Sequence, residues 1–226
     1  MRCPIRCMSG RVLRPEILDT LPEEQARRSL ADLIRINRRW GGHSTLRQLL
    51  RENLKPGETF SMLDVGAASG DMADCVRASY PGGRVVSLDR IASHLNTASA
   101  QRVAADAFHL PFRRKSFDFV FCSLFLHHFT DQEIVGLLRG FGDVARRAVL
   151  VIDLERNPIA YYFLPWTKWL FGWDPVTVND GPISVEAAFR SRELEELARR
   201  AHLNPKARVY RPAFRIAMTA TVADSS

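Results

Sequence analysis

The sequence predicts an α/β fold: a mostly parallel sheet with helices on both faces, closed by an antiparallel strand pair. Three observations carry this. After residue 59, short apolar runs alternate with helical stretches, the rhythm of a parallel sheet with crossover helices. A glycine-rich turn, Asp64-Val65-Gly66-Ala67-Ala68-Ser69-Gly70, joins a strand to a helix, where an open α/β sheet binds ligands. Near the end, two apolar runs are separated by two residues that include Pro212, which reads as a hairpin.

Each element has its own signal. Ala26, Leu30, Leu33, Ile34, Asn37 and Trp40 recur at spacings of three and four, so residues 23–40 read as an amphipathic helix. Gly41-Gly42 breaks it. A second helix over 44–54 takes Ser44 as cap and Leu46, Leu49, Leu50 and Leu54 as inner face. Strands follow at 60–65, 84–88, 102–105, 117–123 and 148–153, and helices at 71–80, 131–145 and 191–202. Residues 207–211 and 214–221 form the closing pair. The expected organisation is a helical extension or cap at 1–58 and a core at 59–226 with an aromatic insertion at about 156–183.

Composition excludes several classes. Of 226 residues, 46% are apolar and 25% charged, ordinary for a globular chain and unlike a disordered tail or disulfide scaffold. No apolar run reaches a membrane-spanning length of about 18 residues. The four cysteines (Cys3, Cys7, Cys75, Cys122) form no paired framework, which fits a reducing, cytoplasmic setting. The first ten residues lack the apolar centre of a secretory signal. The net charge is +7, and residues 1–55 hold twelve basic and six acidic residues. With 28 Arg and only four Lys, this reads as a solvated helical face, with anionic membrane or nucleic acid as alternatives.

The glycine turn leaves three ligand classes to compare. A phosphate-binding loop needs Gly-Lys-Ser/Thr at the helix start, and the chain has Gly70-Asp71-Met72. A dinucleotide fingerprint needs Gly at 66, 68 and 71, and the chain has Gly66, Ala68 and Asp71. Asp71 would also repel a pyrophosphate from a helix N-terminus. A positively charged, phosphate-free nucleoside tolerates both Asp64 and Asp71.

Here the sequence resembles the class I S-adenosylmethionine-dependent methyltransferases, in their small-molecule branch. Asp64, Gly66, Ala68 and Gly70 match the D/E-x-G-x-G-x-G turn, with Ala68 in place of the middle glycine. Asp89, 25 residues after Asp64 and followed by Arg90, ends the second strand. The resemblance implies that it holds the ribose hydroxyls. It also implies that Asp106, with Ala107 and Phe108, meets the adenine. Ser116–Ser123, containing Cys122 and Ser123, looks like the fourth strand, and Leu126-His127-His128-Phe129-Thr130-Asp131 looks like the element that follows it. The family's fold is a Rossmann-like seven-stranded sheet, and its cofactor is S-adenosylmethionine. Asp64, Gly66, Ala67, Ala68, Gly70, Asp89, Arg90, Asp106, Ala107, Phe108, Cys122 and Ser123 are thus the expected cofactor residues.

The expected reaction is methyl transfer to a small aromatic or lipidic acceptor, most readily at oxygen, as in quinone-biosynthesis and secondary-metabolite enzymes of that branch. His128 is the expected base or acceptor contact, with His127 pointing elsewhere and His43 a weaker candidate. Arg35, Asn37 and Arg38 are candidates for the cofactor's carboxylate, and Glu155, Arg156 and Asn157 for the acceptor; equally, Asn157-Pro158 reads as the start of the next helix. No metal is expected, because the histidines and cysteines lack ligand spacing. The seven aromatics at Tyr161–Trp173 read as a packed flap, a homodimer surface, a pocket wall or a weak membrane-surface contact. Nucleic acid is not an expected partner: Cys122-Ser123-Leu124-Phe125 replaces the Asn/Asp-Pro-Pro-aromatic stretch of base-amino methylating relatives. A non-catalytic cofactor- or partner-binding module is the alternative of a different class.

Overall fold

The computed structural model describes residues 10–97, 101–210 and 214–223. Cys3, Cys7 and Pro212 lie outside them. Seven strands form one sheet: β1 (Phe60–Val65), β2 (Gly83–Asp89), β3 (Gln101–Ala104), β4 (Phe117–Ser123), β5 (Ala145–Leu154), β6 (Leu203–Tyr210) and β7 (Arg215–Val222). Their order is β3-β2-β1-β4-β5-β7-β6. The pairs from β3 to β5 are parallel, and β7 is antiparallel to both β5 and β6. The sheet is thus Rossmann-like and mostly parallel. The strand order reverses between β1 and β4, and the crevice beyond their carboxyl ends is where such sheets take ligands.

The helices are α1 (Glu23–Arg39), α2 (Gly42–Asn53), α3 (Asp71–Ser79), α4 (Asp131–Val144), α5 (Pro158–Phe171), α6 (Pro175–Ala187) and α7 (Ser191–Arg200). Strand periodicity decides which face they cover. Along β4, Phe119 and Phe121 face a layer holding Leu46, Leu50, Met72 and Val76 of α2 and α3. Val120 and Cys122 face Ile134, Leu138, Phe141 and Leu197 of α4 and α7. Helix α2 therefore packs on the sheet itself, while α1 lies against α2 and α6.

Two boundaries move for identifiable reasons. Strand β6 starts at Leu203 and runs through Pro205, which an edge strand tolerates because the missing N–H faces away from the ladder. The aromatic insertion is two helices. Asn157 and Asp174 cap them, each accepting a backbone N–H two residues on, and Pro158 and Pro175 open them, the favoured first helical position for proline.

Candidate active site

The carboxyl ends of β1, β2 and β4, the turn after β3, and helices α1, α5 and α6 enclose one cavity of about 750 Å³. That size suits a small-molecule site. Its two halves differ in chemistry.

The first half follows the sheet. Gly66, Ala68 and Gly70 all have positive φ (68°, 43° and 73°), which folds the turn back beneath the cavity. A Cβ on Gly66 would come within 2.4 Å of the Phe125 ring, so only glycine fits. Asp89 accepts the Ala68 N–H on Oδ2 and the Ile91 N–H on Oδ1, each at 2.9 Å. A carboxylate offers about four lone-pair positions, so Asp89 keeps capacity toward the cavity it lines, where His94 Nδ1 stands 3.8 Å from its Oδ1. Asp106 accepts the Phe108 N–H at 3.0 Å, and this bond, opposed by slight burial, keeps its carboxyl below the usual range. Arg90, Ala107 and the Phe108 ring complete the wall.

The remaining expected cofactor residues do not line the cavity. Asp64 is fully buried at the end of β1, and burial, with Asp71 and Asp89 near, pushes its carboxyl well above the usual range. Its Oδ2 has no hydrogen-bond partner among the described residues. Ala67 donates its N–H to the Leu88 carbonyl, and Gly70 caps α3. The Cys122 side chain is packed in the α4 layer, where burial pushes its thiol up. Ser123 ends β4 with a buried hydroxyl. These five residues shape the turn from behind. The open lone pairs on Asp89, the Asp106 edge beside an exposed aromatic ring and the glycine cradle together fit an adenosyl group.

The second half is walled by Leu30 and Leu33 of α1, Trp40 at its C-cap, Phe163 and Leu164 of α5, and Val185 of α6. Asp153, fully buried at the end of β5, organises its polar corner. Its Oδ2 accepts the N–H groups of Leu126 and His127, at 3.0 and 3.3 Å. Its Oδ1 accepts His127 Nδ1–H at 2.6 Å. Burial pushes His127 down, but Asp153 and Glu16 outweigh that and pull it up to about 10. Glu16 Oε1 lies 3.7 Å from His127 Nε2 and accepts the Ser184 hydroxyl at 2.5 Å. Burial raises the Glu16 carboxyl, yet His127 and His128 outweigh it and hold it low.

Several expectations are corrected here. His127 does not point elsewhere: both it and His128 line the cavity, with ring centroids 4.3 Å apart. The sequence shows no metal-ligand spacing, yet in the fold Glu16, His127 and His128 bring ligand atoms within 4.8 Å of one another. Sequence spacing could not show this, since Glu16 arrives from more than a hundred residues away. His43 does not reach the cavity; it bonds Asp71 at 2.9 Å, and burial is outweighed by that bond, raising it to about 9. Arg35 pairs with Asp32, Asn37 bonds Asp71, and Arg38 is exposed. Asn157 caps α5, and Arg156 bonds Ala188 O and Glu193. None of these, nor Glu155, lines the cavity. Two arginines do, the expected Arg90 and also Arg215, which the sequence reading missed.

Comparison with known proteins agrees with this geometry. Residues 63–147 match the methyltransferase domain family. An uncharacterized methyltransferase of Synechocystis is 28% identical over 157 residues, covering 66% of this chain and 68% of that protein. A putative O-methyltransferase from Nostoc punctiforme superposes with a TM-score of 0.66 at 18% identity, over 96% of this chain and 66% of its own. Magnesium protoporphyrin IX methyltransferase from Synechocystis, solved with bound S-adenosylhomocysteine, gives 0.53 at 13% identity over 80% of each chain.

Proposed function

The chain is a class I S-adenosylmethionine-dependent methyltransferase, and from that premise we propose that it methylates a small, largely apolar acceptor at oxygen. The observation that carries this reading is the continuity of the cavity. One continuous space runs from the glycine turn, Asp89 and Asp106 to the apolar wall of α1, α5 and α6.

When bound, the cofactor supplies an electrophilic sulfonium methyl. The chain's own residues must bind, orient and exclude water. Gly66 and Ala68 bring backbone close to the nucleoside. Asp89 would accept the ribose hydroxyls, Asp106 would take the adenine amino group, and Ala107 and Phe108 would cover the ring. Asp64, Ala67, Gly70, Cys122 and Ser123 support the turn. His127, held protonated between Asp153 and Glu16, cannot take another proton; it offers a positive edge to an acceptor oxygen as that oxygen loses its proton. The base is then His128, the exposed neighbour on the same wall.

Labelled cofactor with a panel of phenols, quinols and hydroxy acids tests the reading. Methylated product from at least one class is expected; none across the panel, with S-adenosylhomocysteine still bound, favours a non-catalytic binding module. His128→Ala should cut turnover and spare S-adenosylhomocysteine affinity, and unchanged turnover removes His128 from the mechanism.

A second reading concerns where the acceptor comes from. Helix α5 turns Phe163 and Leu164 inward but leaves Ile159, Trp166, Trp169 and Leu170 62–88% exposed. Interfacial indoles of this kind favour a membrane surface that delivers a lipidic acceptor. Among the described residues, no helix is long and apolar enough to cross a membrane. Flotation with anionic vesicles at low salt should carry the protein upward. A concentration-dependent dimer with no flotation assigns the ridge to a second copy instead.

A further inference from the structure

Arg215 opens β7 opposite Leu154 at the end of β5. It is 2% exposed, yet it lines the cavity beside Leu154 and Phe214. Its Nη2 donates to Asn37 Oδ1 at 3.4 Å. Among the described residues, Nε and Nη1 have no hydrogen-bond partner. Native interiors rarely leave buried polar groups unmatched, and a buried charge even less often. Burial pulls Arg215 down to about 10, against the favourable charges of Asp153 and Asp71, so it stays cationic near neutral pH. Neither carboxylate bonds to it. Nη2 carries a second N–H beyond the one given to Asn37, and together with the unpartnered Nη1 it forms the planar end of the guanidinium that carboxylates fit with two parallel N–H···O bonds.

We propose that Arg215 docks a carboxylate carried by the methyl acceptor, so that the substrate is an apolar hydroxy acid anchored at one end and methylated at another oxygen. This deepens the methyltransferase reading above and rests on it. The Arg215 backbone lies on β7, three strand spacings from β1, or about 14 Å, and it shares the cavity wall with Leu154 and Phe214. Its guanidinium reaches Asn37, whose amide also bonds Asp71 at the head of α3, so it stands between the two halves of the cavity. The cavity's other buried unpartnered side-chain atom among the described residues, Thr177 Oγ1, is on α6, on the acceptor side. The cofactor's amino-acid tail also ends in a carboxylate, so the experiment separates the two sources.

The test measures binding, without turnover, by calorimetry on protein saturated with S-adenosylhomocysteine. The probes are matched pairs: 4-hydroxybenzoate against 4-hydroxybenzamide, and a 10-hydroxydecanoate against its amide. Wild type should bind each acid at least about tenfold more tightly than its amide, the scale of a charge-assisted pair. Arg215→Gln should erase the preference and leave S-adenosylhomocysteine affinity within about threefold. Arg215→Lys, which keeps the charge without the fork, should retain part of the preference, and it decides the matter with wild type should the Gln variant not fold. Equal binding of acids and amides by wild type overturns the proposal. So does a loss of S-adenosylhomocysteine affinity with the acid preference unmoved, which places Arg215 on the cofactor tail. Acids that bind in this pattern but are never methylated would count against the reaction, not against the anchor.

Discussion

The two halves of the cavity are built by different means. The nucleoside half is made of residues that directly follow β1, β2 and β3, each delivered by the sheet to one crevice. The acceptor half is assembled from Glu16, α1, the turn after β4, α5, α6 and the first residues of β7, pieces far apart in the chain. The first half places backbone and carboxylates by local geometry. The second depends on long-range pairs between buried charges: Asp153 with His127, His127 with Glu16, and Arg215 with little of its own. The difference teaches that the cofactor platform is a property of the sheet, whereas the acceptor chamber is a property of how the helices and the N-terminal segment close over it. Perturbing one half should therefore leave the other measurable.

The largest effect should come from the acceptor half. Removing the His127 imidazole leaves the Asp153 carboxylate buried and unpaired, a loss of about 3–5 kcal/mol for breaking such a pair. The pH dependence follows from the proton balance. His127 binds its proton more tightly in the folded protein, rising from 6.5 to about 10. Its stabilisation is therefore complete below about pH 6.5 and is lost as the pH climbs through about 10. Asp153 works at the other end: it is held below 3.8 against its burial, so its stabilisation exists above that value and fades as the pH falls further. Urea unfolding of wild type and His127→Gln should show a gap that is widest near pH 6 and closes toward pH 10. A gap independent of pH would mean that packing, not the charged pair, holds this corner.

Next in size is Gly66→Ala, in the nucleoside half. The new methyl group must adopt φ +68° and displace the Phe125 ring, a combined cost of about 2–4 kcal/mol. S-adenosylhomocysteine affinity should fall by roughly 100-fold. Near-wild-type affinity would show that the ring yields freely and that the turn is less confined than its geometry implies.

The same contrast explains what the sequence made legible. The glycine turn, Asp89 and Asp106 each sit just past a strand that hydrophobic patterning already locates, so local sequence carries their positions. The histidine doublet was equally visible, but which ring faces the cavity depends on Asp153, which grips the backbone N–H and the Nδ1 of His127 from a different strand. Glu16 lies in a segment without periodicity. Arg215 sits in a closing strand whose pattern reads only as apolar. Both acquire their roles through contacts more than a hundred residues apart in the chain, which no local motif encodes. The start of β6 was hidden by Pro205, whose tolerance requires knowing that the strand is an edge. The two helices of the aromatic insertion carry cap and proline signals at Asn157-Pro158, which the sequence already offers as a helix start, and at Asp174-Pro175.

A smaller effect divides α5 itself. Phe163 lines the cavity and packs edge-on against Trp40, with centroids 5.8 Å apart, whereas Trp169 is 88% exposed. Phe163→Ala should cost about 1–2 kcal/mol in urea unfolding, less than a fully buried ring because it is only partly buried. Trp169→Ala should stay within about 0.5 kcal/mol. If the exposed tryptophan proves the costlier one, the ridge is covered in solution and the inward face is not the packed one.

The smallest expected change is the most specific. Ala68 replaces the middle glycine of the turn and sits at φ +43°, a conformation that costs a residue with a Cβ about 1–2 kcal/mol. Its N–H still reaches Asp89 Oδ2 at 2.9 Å, so the turn keeps its shape at the expense of local strain. Ala68→Gly removes that strain but adds about 0.5–1 kcal/mol of backbone entropy to the unfolded chain. The net should be a gain of about 0.5 kcal/mol in stability, read as a small upward shift of the urea midpoint. S-adenosylhomocysteine affinity should hold or improve, because the methyl group leaves the cavity wall. A loss of stability would mean that the methyl group makes compensating contacts within the turn. A loss of affinity would mean that it touches the nucleoside favourably. Either result would make Ala68 a fitted part of the cofactor platform, whose shape would then depend on side chains as well as on the sheet.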